Sequence, residues 1–161
     1  MQNINREKTS SLIFLDLDVA KVALLGVPDI PGIAASLFAA LAEVEIDVEM
    51  IVQSVMRGQV NDIAFLVRKS GLEGAIRVCR AVSMEIDAQG VIFDTEIAKI
   101  SVSSLPSDKR DFPARVFSAL AHQGVNIDMI LALPSSVTCV VAAAKVEEAF
   151  EALKQELGGC E

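Results

Sequence analysis

Apolar residues recur along the chain in two rhythms. Residues 20–25 alternate with a period of two around Val22 and Leu24 and read as a strand ending at Gly26. The segment VPDIPG, from Val27 to Gly32, is a turn, with Pro31 suited to the first turn of a helix. Ile33, Leu37, Phe38, Leu41 and Val44 then step at helical spacing. Residues 48–55 predict a strand, 56–59 a hairpin turn and 63–67 the partner strand. Leu72, Ala75, Ile76, Val78, Cys79 and Val82 define a second helix, for which Ser70 is the expected N-cap. A short strand at 91–94 closes the unit. The order is βαββαβ, two helices on one face of a four-stranded antiparallel sheet, which is the ferredoxin-like arrangement.

The pattern then repeats. Residues 40–51 (ALAEVEIDVEMI) recur as residues 119–130 (ALAHQGVNIDMI), with five of twelve positions identical, and Phe38 recurs as Phe117. Val19-Ala-Lys-Val22 recurs as Ile97-Ala-Lys-Ile100 at an offset one residue shorter. Self-similarity at a fixed period of about 75–80 residues identifies two copies of one folding unit. The second copy supplies strands at 97–102, 127–131 and 137–141 and helices at 113–123 and 145–157, but no closing strand follows. Residues 11–16 meanwhile form a strand that the first copy does not need. The economical solution is an α+β chain of two ferredoxin-like units, the first inserted into the second. The first domain is then 17–95, and the second is 1–16 plus 96–161, its sheet completed by the N-terminal strand.

Composition narrows what such a fold can do. The chain is 52% hydrophobic, and its 4% aromatic content is all Phe, so base-stacking platforms and aromatic cation cages are nearly excluded. A formal charge of −8 repels phosphate backbones and anionic lipid, arguing against nucleic acid and membranes as partners. Apolar runs are too short to span a bilayer, and the polar start has no signal-peptide character. A cytoplasmic protein with reduced thiols is expected from Cys79, Cys139 and Cys160, the first two as small core residues. The only histidine, His122, has no companions for a zinc site and no nucleophile to serve. Asp16 and Asp18, like Glu147 and Glu148, read as solvated charges. No catalytic residue, cofactor or metal is expected.

One loop offers ligand chemistry. The turn before the first helix leads into unpaired N–H groups where the helix dipole favours an anion. Gly32 allows close backbone approach, and Asp29 sets a carboxylate beside those donors. An α-amino acid, carrying both charges within a few ångströms, fits this pairing. A Pro-Gly turn that does no more than start a helix fits it too.

The segment VPDIPGIA at 27–34, followed by IDVEMIVQ at 46–53, resembles the regulatory region of aspartokinase, whose tandem ACT domains carry a VPDxPG turn and an IxVDMIxQ strand. NDIAF at 61–65, the junction at 94–102 and GVNIDMI at 124–130 extend the resemblance over nearly the whole chain from Asp16. It implies effector binding where ACT domains of two chains meet side by side, in a homodimer that also associates with an aspartate kinase catalytic region. Threonine is the favoured effector, for feedback inhibition of aspartate-family amino acid biosynthesis. The contacts would fall on Asp29, Ile30, Gly32, Ile33, Ala34, Glu49 and Gln53 of the first repeat, completed by Asn126, Ile127 and Asp128 of the second. Backbone N–H groups near Ala34 and Ile127 would receive the carboxylate. Glu49 stands where the family has Asp.

The second repeat departs from the family pattern. It has Ser103–Phe112 in place of a Gly-rich loop ending in Pro-Gly, and Ala132-Leu133-Pro134 in place of Thr-Ser-Glu. Leu and Ala cannot replace those polar contacts, and Pro134 would remove a ladder donor. One competent pocket type follows, without the second pocket used by lysine. The alternatives are a free-standing tandem ACT protein, sensing another small amino acid or serving assembly, and an acid/base enzyme on the same sheet.

Overall fold

The computed structural model describes residues 13–54, 58–104 and 110–157. In chain order the elements are β1 (Ile13–Asp16), β2 (Ala20–Pro28), α1 (Ile33–Glu43), β3 (Val48–Gln53), β4 (Val60–Val67), α2 (Leu72–Glu85), β5 (Gly90–Asp94), β6 (Ile97–Ser103), α3 (Phe112–His122), β7 (Ile127–Leu133), β8 (Ser136–Ala142) and α4 (Val146–Leu157). Short 3₁₀ turns at Lys69–Gly71 and Ala143–Lys145 precede α2 and α4. Every strand pair is antiparallel. The two sheets have orders β3-β4-β2-β5 and β1-β6-β8-β7, so the fold is α+β with two ferredoxin-like units, the first inserted into the second. One unit comprises Asp18–Thr95, the other Met1–Leu17 with Glu96–Glu161.

Strand alternation divides each sheet into a helix-covered face and an outer face. In the first repeat Val22, Leu24, Ile63, Phe65 and Val67 meet Leu37, Leu41, Ala75 and Cys79 of the two helices. Phe38 and Phe65 pack edge to face with ring centroids 5.5 Å apart. In the second, Ile100, Val102, Val137, Cys139 and Val141 meet Val116, Leu120, Ala149 and Leu153. Each large aliphatic side chain buried in this way contributes about 1.5–3 kcal/mol from area alone. Burial pushes the Cys79 and Cys139 thiols up to about 11, as expected for inert core residues; Cys160 lies outside the described residues.

β1 completes the second sheet by pairing with β6, Leu15 opposite Ile100 and Asp16 opposite Lys99. Its register copies that of β5 on β2, where Phe93 stands opposite Val22 and Asp94 opposite Lys21. The permuted strand therefore carries its own share of the repeat: VIFD at 91–94 answers IFLD at 13–16.

Several local expectations need correction. Ser70 does not cap α2; it lies inside the 3₁₀ turn, and Gly71 occupies the N-cap without a side-chain bond. Pro31 precedes the N-cap Gly32 instead of sitting in the helix, and Val44 is the C-cap, 53% exposed. Pro134 removes no ladder donor, because it sits with Ser135 in the two-residue turn between Leu133 and Ser136. Asp16 is not a solvated charge: it is 8% exposed and lies 3.5 Å from Lys99 Nζ. The hairpin turn expected at 56–59 falls partly outside the described residues. His122 ends α3 in an exposed position. Among the described residues no helix is long and apolar enough to cross a membrane, and no group of His, Cys, Asp or Glu is suited to hold a metal.

Candidate functional site

The segment between β2 and α1 is shaped by two glycines. Gly26, at φ 61°, forms a bulge in β2, where one extra residue lies between the pairs Leu24–Ile63 and Val27–Asn61. Its N–H donates to Asp62 Oδ1 at 2.9 Å, and a Cβ there would collide with the Gln89 side chain. Asp62 in turn is held by Ser54, whose hydroxyl accepts from the Asp62 N–H at 2.9 Å. This brace fixes the point where the chain leaves the sheet. Asp29 N–H then donates to Gln59 O at 3.0 Å and Ile30 N–H to Pro28 O at 2.9 Å, tightening the turn.

Gly32, at φ 95°, is the N-cap of α1. A Cβ added there would meet nothing within 4 Å, so the backbone conformation, not crowding, calls for glycine. Ile33 N–H points back to Ile30 O at 3.4 Å and Ser36 N–H to Gly32 O at 2.9 Å. The N–H groups of Ala34 and Ala35 fall in the first turn, where an α-helix has no internal acceptor. No side chain caps this end and no acidic residue occupies its first turn. The positive end of the dipole is therefore left for an external anion. Asp29, Pro31, Gly32 and Ala34 are exposed, Ile30 is 61% exposed, and Ile33 is anchored in the core.

The remaining candidate residues are divided. Gln53 ends β3, exposed, opposite Ile63, at the same end of the sheet as the Asp29–Gly32 turn. Glu49 lies three pairing levels further along, opposite Leu66, and its Oε1 accepts from Arg68 at 3.2 Å. A bulge separates them, with Met50 at φ 50°. Glu49 is thus tied to β4's exit instead of facing the turn. The second-repeat residues form the start of an edge strand: Asn126 and Asp128 are exposed, Ile127 pairs with Val141, and Asp128 sits at the bulge before Met129. Both equivalent edge strands expose apolar side chains, Ile51 at 52% and Ile130 at 46%.

Sequence reasoning missed two polar residues, one near the turn and one just past the far end of β4. Arg68 was invisible because its partner Glu49 is distant in sequence. Asn61, on β4 opposite Val27, is only 7% exposed, and its Oδ1 has no hydrogen-bond partner. A polar residue in the helix-facing register of an apolar strand was the available signal.

The sequence model of the ACT domain matches residues 22–82 and 107–157. The chain belongs to the ACT domain family. The two matched stretches fall one in each repeat. An aspartokinase of Thermus thermophilus is 35% identical over 152 residues, covering 92% of this chain and 37% of the relative. This ACT chain thus spans about a third of the length of the curated relatives it matches. The ligand-free regulatory subunit of aspartate kinase from Thermus thermophilus superposes with a TM-score of 0.83 at 37% identity, over 92% of this chain and 99% of that one. A structure of aspartokinase alpha and beta subunits gives a TM-score of 0.83 at 26% identity, over 93% and 99% of the two chains. The tandem ACT chain is homologous to the regulatory subunit of aspartate kinase, whose ACT domains are regulatory and not catalytic.

Proposed function

We propose that this chain is the amino-acid-binding regulatory part of an aspartate kinase, taking threonine at the turn before α1 and passing feedback inhibition to a catalytic region. The observation that carries this reading is the full-length likeness to the Thermus regulatory subunit, together with an uncapped helix start at the family's effector turn. The ligand carboxylate meets the Ala34 and Ala35 N–H groups, and its ammonium meets the Asp29 carboxylate. Gln53, at the same end of the sheet, supplies a carboxamide. Asn126 and Ile127 come from the second repeat of another copy, as Asp128 does, with the exposed edge strands β3 and β7 forming the contact between copies. In this reading the ACT domains are 17–95 and 1–16 plus 96–161, and the protein works in the cytoplasm as a homodimer bound to a catalytic partner. The second repeat departs from the family's sequence pattern at Ser103–Phe112 and at Ala132-Leu133-Pro134, so one pocket type serves and lysine has no separate site. Ligand binding shifts the balance between domain arrangements, which is how it reaches a distant catalyst.

Isothermal titration with a panel of amino acids tests the reading. Threonine is expected to bind, with affinity falling about tenfold or more in Asp29→Ala, as for a lost charge-assisted bond. Gln53→Ala weakens it less, and Glu49→Gln barely alters it. No heat with any amino acid would overturn the proposal.

A further inference from the structure

Among the described residues, Asn61 carries the buried side-chain polar atom left without a hydrogen bond, its carboxamide oxygen. It is more than nine-tenths buried, and its Oδ1 has no partner among the described residues. Leaving a buried acceptor unpaired is unfavourable, and a residue that persists in that state is normally paired in some other condition of the protein. Its position says which. Asn61 lies opposite Val27, two residues before Asp29, and Gln59 holds the Asp29 N–H at 3.0 Å. Strand parity sets Asn61 on the face of Ile63, Phe65 and Val67, the face that carries α1. Val27 and Ile33, the first residue of α1, share that core. The unpaired oxygen therefore lies under the same end of the sheet as the Asp29–Gly32 turn and the free N–H groups of α1.

The second repeat lacks this feature. The registers of β4 on β2 and β8 on β6 make Phe65 equivalent to Cys139 and Ile63 equivalent to Val137. Asn61 then corresponds to Ser135, which is exposed in the two-residue turn. Among the described residues a buried carboxamide is thus confined to the repeat whose helix start is free to take an anion.

We propose that Asn61 Oδ1 is the buried acceptor that recognises a hydroxyl on the side chain of the bound amino acid and so selects a hydroxylated ligand over its aliphatic isostere. This rests on the amino-acid-binding reading above and adds the determinant of side-chain choice. A neutral buried acceptor suits a neutral donor. The ammonium group belongs with the exposed Asp29 carboxylate, because burying a full charge against one amide oxygen is costly. Reaching Oδ1 requires a small outward movement of the turn, and the open space around Gly32 leaves room for it. A site with a buried polar group rejects a ligand lacking its partner far more strongly than a purely apolar pocket does.

Titration of the full chain with L-threonine and L-valine, which differ by hydroxyl against methyl, tests this. Wild type is expected to prefer threonine by about tenfold or more. Asn61→Leu, of similar volume and apolar, brings the two affinities to within about threefold of each other by removing only the hydroxyl's partner. Its melting temperature without ligand stays at or above that of wild type, because an unpaired polar group has gone. Asn61→Ala makes the same comparison if the leucine variant does not fold. A purely structural role for Asn61 would weaken both ligands together and leave their ratio unchanged, and that result overturns the proposal. Equal binding of both ligands to wild type also overturns it while leaving amino-acid binding intact. Binding of neither removes the underlying reading along with it.

Discussion

The first repeat starts its leading helix on Gly32, left-handed and uncapped, whereas the second starts α3 on Asp111 in ordinary helical geometry with Pro113 just inside. Neither N-cap makes a side-chain bond, yet the two ends differ in kind. A glycine at φ 95° opens the helix from left-handed backbone, with no acidic residue in its first turn. Asp111 carries its own negative charge to the same dipole end and repels an incoming anion. The outer sheet faces differ in the opposite sense: Asp16 and Lys99 of the second repeat are 8% and 13% exposed, whereas Asp94 in the equivalent position of the first is only partly buried. One fold thus carries an uncapped, left-handed helix start in one copy and a largely buried ion pair in the other. Architecture is shared between the repeats; the helix starts and the outer-face charges are not.

The ion pair offers the largest test of that contrast. Asp16→Ala leaves the Lys99 ammonium buried against fewer compensating groups, and the expected loss of stability is about 3 kcal/mol. Asp94→Ala, at the equivalent register, costs under about 1 kcal/mol. Urea unfolding of the two variants makes the comparison, and equal losses would show that the outer faces do not differ.

The helix starts give the next test. Gly32→Ala forces a side chain into left-handed backbone and costs about 1 kcal/mol, with a parallel loss of threonine affinity. Asp111→Ala makes the second helix start lose no cap bond, so its stability changes by less than about 0.5 kcal/mol. Thermal melts with and without threonine separate the two, and indifference of Gly32→Ala to both readouts would break the distinction.

A further test, confined to alkaline pH, is common to both repeats. Buried thiols stay protonated in the folded chain up to about 11, while the unfolded chain releases those protons around the usual 9.0. Folding therefore retains protons that unfolding gives up. Stability is full below pH 9 and declines as pH rises from about 9 to about 11. Cys79→Ala and Cys139→Ala should each flatten that slope by a similar amount in urea midpoints taken across pH 8–11. A flattening confined to one variant would mark the cores as unequal.

How much of this was legible beforehand follows from range. The helices, the strands and the duplicated unit rest on local periodicity, and the insertion followed from counting one strand too few and one too many. The Ser70 cap failed because a 3₁₀ turn intervenes before α2, and local preference cannot see that turn. Asp16 looked solvated because its burial depends on Lys99, more than eighty residues away. The turn at Asp29–Ala34 could be read because all its groups are contiguous. Glu49 could not be placed without Arg68, nor Asn61 without its strand register. The match between residues 91–94 and 13–16 was also overlooked, since a permuted element falls out of sequence order.

That permuted strand has a consequence for how the chain comes together during synthesis. β1 leaves the ribosome before the inserted unit, and its partner β6 leaves after it. Yet the inserted unit begins and ends on neighbouring strands, with Lys21 opposite Asp94. Once that unit closes, its two exits lie about one inter-strand spacing apart, roughly 5 Å. β1 and β6 then meet as the arms of a hairpin whose turn happens to be a folded domain. Little loop-closure entropy remains to oppose them. The nascent chain is led to complete its inner unit first and to register the outer sheet on it afterwards.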